Sequence, residues 1–246
     1  MRLFELLFGM LRALASLLPS GVGQSEAEQH YKAGVKLQRS ERLEEAIAEY
    51  DKVTELDPSF FQAYSNRGQA HNQLGQHELT IKDLNEAIRL RPSLAVSYSE
   101  RGLAYSSLGQ HERGLKDLDE AVRLRPRFPG FYSVRGHLYS ALGRQHRAIK
   151  DFDEAIRLEP KYAEAYNNRG DAHMALGKLG QAIGDLDQAI RLERYFTIAY
   201  VNRAMVWTKM GRETEANQDV ETAVQLGIDR TFLEERIAEL KAARKG

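Results

Sequence analysis

The chain has 246 residues, 42% hydrophobic and 28% charged, which is the composition of a folded chain and not of a disordered one. Its 35 Lys and Arg balance 35 Asp and Glu, so there is no global basic field to hold nucleic acid or an anionic membrane by bulk electrostatics. With no Cys, disulfides, thiolate zinc sites and a cysteine nucleophile are excluded, while the redox compartment stays open.

Residues 1–20 read MRLFELLFGMLRALASLLPS. Glu5, Gly9, Arg12 and Ser16 succeed one another at helical spacing and make one narrow polar stripe on an otherwise apolar helix. Three readings stand: docking onto the adjoining segment or self-association, lying on a membrane surface, or an export signal with Arg2 first and Ala13-Leu14-Ala15 as a cleavage-like site. Glu5 and Arg12 interrupt the apolar run and weigh against export. The run also falls short of the ~20 apolar residues that span a bilayer. Gly21-Val22-Gly23-Gln24-Ser25 predicts a short flexible linker, which sets residues 1–26 apart from the rest of the chain.

From residue 27 the chain repeats with a period of 34, in six copies: 27–60, 61–94, 95–128, 129–162, 163–196 and 197–230. The copy FQAYSNRGQAHNQLGQHELTIKDLNEAIRLRPSL starts at Phe61, and AVSYSERGLAYSSLGQHERGLKDLDEAVRLRPRF continues from Ala95. Position 4 of the copies is Tyr64, Tyr98, Tyr132, Tyr166 and Tyr200; position 8 is Gly34, Gly68, Gly102, Gly136 and Gly170, then Ala204. Position 27 is Ala87, Ala121, Ala155, Ala189 and Ala223, and position 32 is Pro58, Pro92, Pro126 and Pro160. Positions 4, 8 and 11 share one helical face, and positions 20, 24 and 27 share the face of a second helix. Small residues on both faces let two backbones approach closely. Leu-Gly pairs such as Leu74-Gly75 and Leu142-Gly143 close the first helix, and Pro stops the second.

The period and these residues resemble the tetratricopeptide repeat. The resemblance implies an all-α fold: a right-handed superhelical solenoid of six two-helix tetratricopeptide repeats, with residues 231–246 as a C-terminal capping helix whose apolar residues are Phe232, Leu233, Ile237 and Leu240. The Leu at position 30 of every copy, from Leu56 to Leu226, is expected to plug the space between neighbours. Copies 5 and 6 carry Arg194 and Ile228 where the others have Pro, so a tighter or more helical junction is expected between them.

Arg at position 7 (Arg67, Arg101, Arg135, Arg169, Arg203) recurs with Asp at position 23 (Asp83, Asp117, Asp151, Asp185, Asp219), and copy 1 lacks both. An anion grip and a partly buried ion-pair ladder are the two readings. The second is the stronger because position 7 faces the partner helix. Catalysis finds no home. His77-Glu78 and His111-Glu112 lack the second His of a zinc protease, Gly177-Lys178 lacks the upstream Gly of a phosphate loop, and no His spacing suits a metal. No cofactor is expected. On the second helices, Asp119–Arg123, Asp153–Arg157 and Asp187–Arg191 read as favourable i,i+4 pairs on a self-balanced outer face, against a nucleic-acid surface.

What remains is binding. In the tetratricopeptide family the first helices line a concave groove, which here implies Gln62, Asn66, Gln69, Asn72, Glu100, His137, Glu164, Asn167, Asn168, Asp171 and Asn202 as a peptide site. Copies 2 to 5 place no Lys or Arg at the groove positions, so the two-carboxylate clamp that some members use for acidic chaperone tails is missing. Asn66, Asn168 and Asn202 resemble the asparagine ladder of other members, broken by Glu100 and Val134. An Asn amide offers a donor and an acceptor together, which matches one peptide unit. The expected function is a non-catalytic protein-interaction scaffold, cytoplasmic, for a neutral to basic protein or peptide. The alternative is a membrane-associated or exported adaptor acting through residues 1–20.

Overall fold

The computed structural model describes residues 20–245, so the readings placed on residues 1–19 lie outside the described residues. Those described form thirteen helices and no strand. They are α1 (Ser20–Arg39), α2 (Leu43–Leu56), α3 (Phe61–Gln73), α4 (His77–Leu90), α5 (Ala95–Ser107), α6 (His111–Leu124), α7 (Pro129–Ala141), α8 (Gln145–Leu158), α9 (Ala163–Ala175), α10 (Leu179–Leu192), α11 (Thr197–Met210), α12 (Glu213–Gln225) and α13 (Arg230–Lys245). Two compact units divide after Leu124. One holds repeats 1 to 3 as α1–α6; the other holds repeats 4 to 6 and the cap as α7–α13. This is the all-α repeat solenoid that the sequence pattern predicts.

Each repeat folds for local reasons. The residue at position 15 sits in the left-handed region and closes the first helix: φ is 71° at Gly75, 70° at Gly143 and 77° at Gly211. In repeat 1 the same place is taken by Glu41, the only described residue other than glycine with positive φ, at 59°. Position 8 then meets position 24 of the second helix. A Cβ on Gly136 would lie 2.8 Å from the Phe152 ring, and one on Gly170 would lie 2.9 Å from Leu186 Cγ. Repeat 6 has Ala204 there and faces it with the smaller Val220, so the added methyl on one helix is matched by a shorter side chain on the other.

The second unit builds a string of buried contacts through this geometry. Phe152 packs with Ala148 and Ala172, and Leu186 with Ala182, Ala189, Ala199 and Val206. Leu233 and Ile237 of α13 cover Ala204, Val220 and Ala223. The cap therefore docks through two of its four expected apolar residues; Phe232 stays 55% exposed. In the first unit Tyr50 and Val53 pack with Ala27, Ala46 and Ala63, rimmed by Tyr31 and Phe60.

Three local expectations are corrected. Residues 21–25 are helical, because α1 begins at Ser20. Two glycines cost about 1 kcal/mol each in a helix, and extension from an already folded helix overcomes that. The Leu at position 30 is not a fully buried plug in any copy: Leu56 is 42% exposed and Leu90, Leu124, Leu158, Leu192 and Leu226 are half-buried, since the packing faces run through positions 20, 24 and 27. The junction between repeats 5 and 6 is no tighter than its neighbours. α10 ends at Leu192 as α8 ends at Leu158, and Tyr200 Oη donates to Arg194 O at 3.2 Å where Tyr166 Oη donates to Pro160 O at 3.4 Å. The backbone carbonyl makes the contact, so losing the proline ring changes little.

Candidate functional site

The Arg–Asp pattern is an internal ladder. Arg67 donates to both carboxylate oxygens of Asp83 (Nε–Oδ2 2.9 Å, Nη2–Oδ1 2.6 Å) and through Nη1 to Asp51 of the preceding repeat at 2.5 Å. Arg169 holds Asp185 and Asp153 in the same way, and Arg203 holds Asp219 and Asp187. The Asp219 bonds hold the Arg203 guanidinium above its ordinary range. Arg101 holds Asp117 and reaches the amide oxygen of Asn85 at 2.7 Å. Each of these arginines also lies over the position 4 Tyr of its own helix, 5.4–5.7 Å from the ring centre. With their donors on carboxylates and their faces on rings, these arginines are taken up within the fold. Asp153 and Asp187 therefore do not make the expected i,i+4 pairs. Arg123 and Arg157 bond Glu120 and Glu154 three residues back instead.

In the first unit Asn66 and Asn72 are also engaged internally. Asn66 Nδ2 donates to Tyr31 Oη at 3.1 Å and to Tyr50 Oη at 3.4 Å; burial pushes the Tyr50 phenol up to about 12. Asn72 Nδ2 donates to Glu100 Oε2 at 3.1 Å. Burial raises the Glu100 carboxyl, and the Asn72 bond partly offsets that. Gln62 is exposed and Gln69 half-buried on the same helix.

The second unit gathers five of the expected residues around one open cavity of about 390 Å³. His137 comes from α7, Asn167, Asn168 and Asp171 from α9, and Asn202 from α11. Their spacing stems from helix geometry, because positions 5, 6 and 9 share one face of each first helix. Asn202 Nδ2 donates to Asn167 Oδ1 at 2.9 Å, and Asn167 Nδ2 donates on to Asn168 Oδ1 at 3.1 Å. The relay leaves the Asn168 NH₂ donors without a partner among the described residues. Asp171 likewise makes no hydrogen bond with a described residue. Burial raises its carboxyl, and the nearby His137 pulls weakly the other way. Glu164 lies outside this cavity, exposed in the first turn of α9.

Sequence reasoning did not place Gln145, Phe152 and Ile198 in the peptide site, and all three line this cavity. Gln145 begins α8 and folds back, accepting from Ser140 Oγ at 2.9 Å and donating to Ser140 O at 3.2 Å. A residue at position 17 carries no groove signal in the repeat pattern, so it was not foreseeable. Ile198 is 49% exposed and gives the cavity an apolar side. Among the described residues no three His, Asp or Glu are arranged to hold a metal ion, and no helix is long and apolar enough to cross a membrane.

Family models described as TPR repeat match residues 34–75 and 136–177, and others described as tetratricopeptide repeat match 61–94, 95–128 and 163–195. The chain is 43% identical over 54 residues to Tetratricopeptide repeat protein 36 of Caenorhabditis elegans, a stretch covering 22% of this chain and 30% of that protein. Among solved structures it resembles one chain of the APC/C hetero-tetramer Cut9-Hcn1 (TM-score 0.76, 19% identity, 87% of this chain and 43% of that one). It also resembles a tetratricopeptide repeat protein from Parabacteroides merdae (TM-score 0.69, 19% identity, 88% and 84%). A third is YrrB, described as a TPR protein with an unusual peptide-binding site (TM-score 0.58, 16% identity, 76% and 96%). At these identities the likeness is one of fold, and the chain spans less than half the length of the Cut9-Hcn1 chain and under a third of the worm protein. With the 34-residue period, the glycine-closed helical hairpins and family models matching most of residues 34–195, the chain belongs to the tetratricopeptide repeat family.

Proposed function

We propose that the protein is a non-catalytic interaction scaffold that holds an extended peptide segment of a partner protein along the first helices of repeats 4 to 6. Scaffolding of protein interactions is the usual role of this fold, and the finer reading rests on the second unit. The observation that carries it is the amide relay ending at Asn168 in an open cavity of about 390 Å³. A planar amide with unused donors matches the carbonyl of a passing peptide unit. In the first unit Asn66, the equivalent of Asn168, is engaged with Tyr31 and Tyr50, and Asn72 with Glu100, which favours repeats 4 to 6 as the groove. That the YrrB relative is described with a peptide-binding site agrees with this reading without naming a ligand.

The test is selection of a random linear dodecamer library on the full chain, then hydrogen-exchange mapping with the enriched peptides. Protection concentrated on α7, α9 and α11, lost with Asn168→Ala, is the expected result. Failure to enrich any peptide, or protection confined to other helices, refutes the proposal.

A further inference from the structure

We infer that this groove selects a lysine or arginine side chain of the bound segment, with the cationic head on the Asp171 carboxylate and the aliphatic stem along Ile198. The inference rests on the peptide-binding reading above and names the chemistry of its anchor residue.

Four observations converge on it. Asp171 and Ile198 line the same cavity, one ionisable and one apolar, which suits a side chain with a long hydrocarbon stem and a charged tip. Asp171 accepts no hydrogen bond from a described residue, whereas the recurring acids of the array, such as Asp151 and Asp185, are held by arginine. No Lys or Arg lines the cavity; the only other titratable side chain in its wall is His137. The neighbouring Asn168 donors are unused and lie one helical turn before Asp171, so a peptide carbonyl and the cationic side chain can be engaged from one helix face. A half-buried carboxylate without a hydrogen-bond partner is costly to the free protein, and a ligand cation recovers that cost on binding. Burial raising the Asp171 carboxyl is what such a poorly compensated group should show.

Two other clefts are weaker candidates on physical grounds. The cleft of about 170 Å³ between α11 and α13, beside the exposed Phe232, is apolar and nothing in the structure indicates what covers it. In the cavity beside Arg169 and His173, both of those groups are already committed, Arg169 to Asp185 and Asp153 and His173 to Asp185.

The experiment uses the dodecamer library on the full chain, with a parallel selection on Asp171→Asn. The parent should enrich Lys or Arg at one position of peptides that protect α7, α9 and α11. For the leading peptide, replacing that residue by norleucine, which keeps the stem and removes the charge, should weaken binding at least about tenfold in fluorescence anisotropy. Asp171→Asn should weaken the parent peptide by a similar factor and leave the norleucine peptide unchanged, so that the two losses do not add. The norleucine arm uses the unaltered chain and stands even if the variant folds poorly. Peptides that protect the groove without Lys or Arg enrichment, or a norleucine effect under about twofold, overturn the inference and leave the groove reading intact. Absence of any groove-protecting peptide overturns both.

Discussion

Two aspartates two residues apart on α8 separate burial from mere pairing. Asp151 is 6% exposed and accepts both Nε (2.9 Å) and Nη2 (2.7 Å) of Arg135. Asp153 is an exposed residue that takes a single bond from Arg169 Nη1 at 2.6 Å. Removing one partner of a buried pair costs about 3–5 kcal/mol, because the remaining charge loses compensation in a poorly hydrated place. The side chain of Arg135 keeps 17% of its surface in water, which puts Asp151→Ala at the lower end, about 3 kcal/mol. Asp153→Ala breaks a solvent-screened contact and should cost at most about 1 kcal/mol. For a chain of this size 1 kcal/mol moves Tm by roughly 2–4 °C, so Asp151→Ala should melt about 6–12 °C below the parent and Asp153→Ala within about 4 °C of it. Thermal and urea unfolding monitored by circular dichroism at 222 nm reads both. Equal melting of the two variants would refute the claim that burial of the position 23 carboxylate makes the ladder structural.

Asp171→Asn should raise Tm at pH 7, since the variant removes a carboxylate that burial disfavours. The sign comes from linkage: a carboxyl raised in the folded state lowers stability as pH climbs from its unfolded value of 3.8 through its folded value. The gain should therefore vanish in acid below that window, and a gain that persists there would contradict the account. Glu41→Gly should stabilise by about 1 kcal/mol, because Glu41 holds a left-handed φ of 59° that glycine adopts freely; a lower Tm for the variant would refute this. Leu233→Ala with Ile237→Ala should undock α13 at a cost of about 4 kcal/mol or more and uncover Ala204, Val220 and Ala223. Hydrogen exchange should then show α13 unprotected, with new dye binding to the bared face; native-like protection of α13 would argue that other contacts hold the cap.

The fold was legible because a solenoid writes its packing into a short period. Gly at position 8 and a large residue at position 24 recur together because each pair is one close contact, seen in Gly136 against Phe152 and Gly170 against Leu186. The ladder was legible for the same reason: Arg and Asp appear together from repeat 2 onward and are missing together from repeat 1. Which second acid each arginine would reach was not legible, because helix spacing pairs Asp153 with Arg157, and only the stacking of repeats brings Arg169 to it. Groove positions were readable as positions but not as free or spent groups. Asn66 and Asn168 occupy the same place in their repeats, yet the first is bonded to Tyr31 and Tyr50 and the second has donors to spare. That difference depends on which residues neighbouring helices supply, and a pattern of one repeat does not contain it.

In repeats 2, 3, 5 and 6 the arginine at position 7 joins an acid of its own repeat to a polar oxygen of the one before, so these rungs are also rivets between neighbours. Between repeats 2 and 3 the rivet ends on Asn85, a neutral amide, where Asp51, Asp153 and Asp187 serve elsewhere. A bond to a neutral oxygen is weaker than one to a carboxylate. In a linear array, where cooperativity passes from each repeat to the next, a softer joint within the first unit lets the repeats on either side of it open separately. Repeats 1 and 2 can thus fray as a block while repeat 3 keeps its own Arg101–Asp117 pair, and a single residue at position 25 sets how far an opening at the N-terminal end travels.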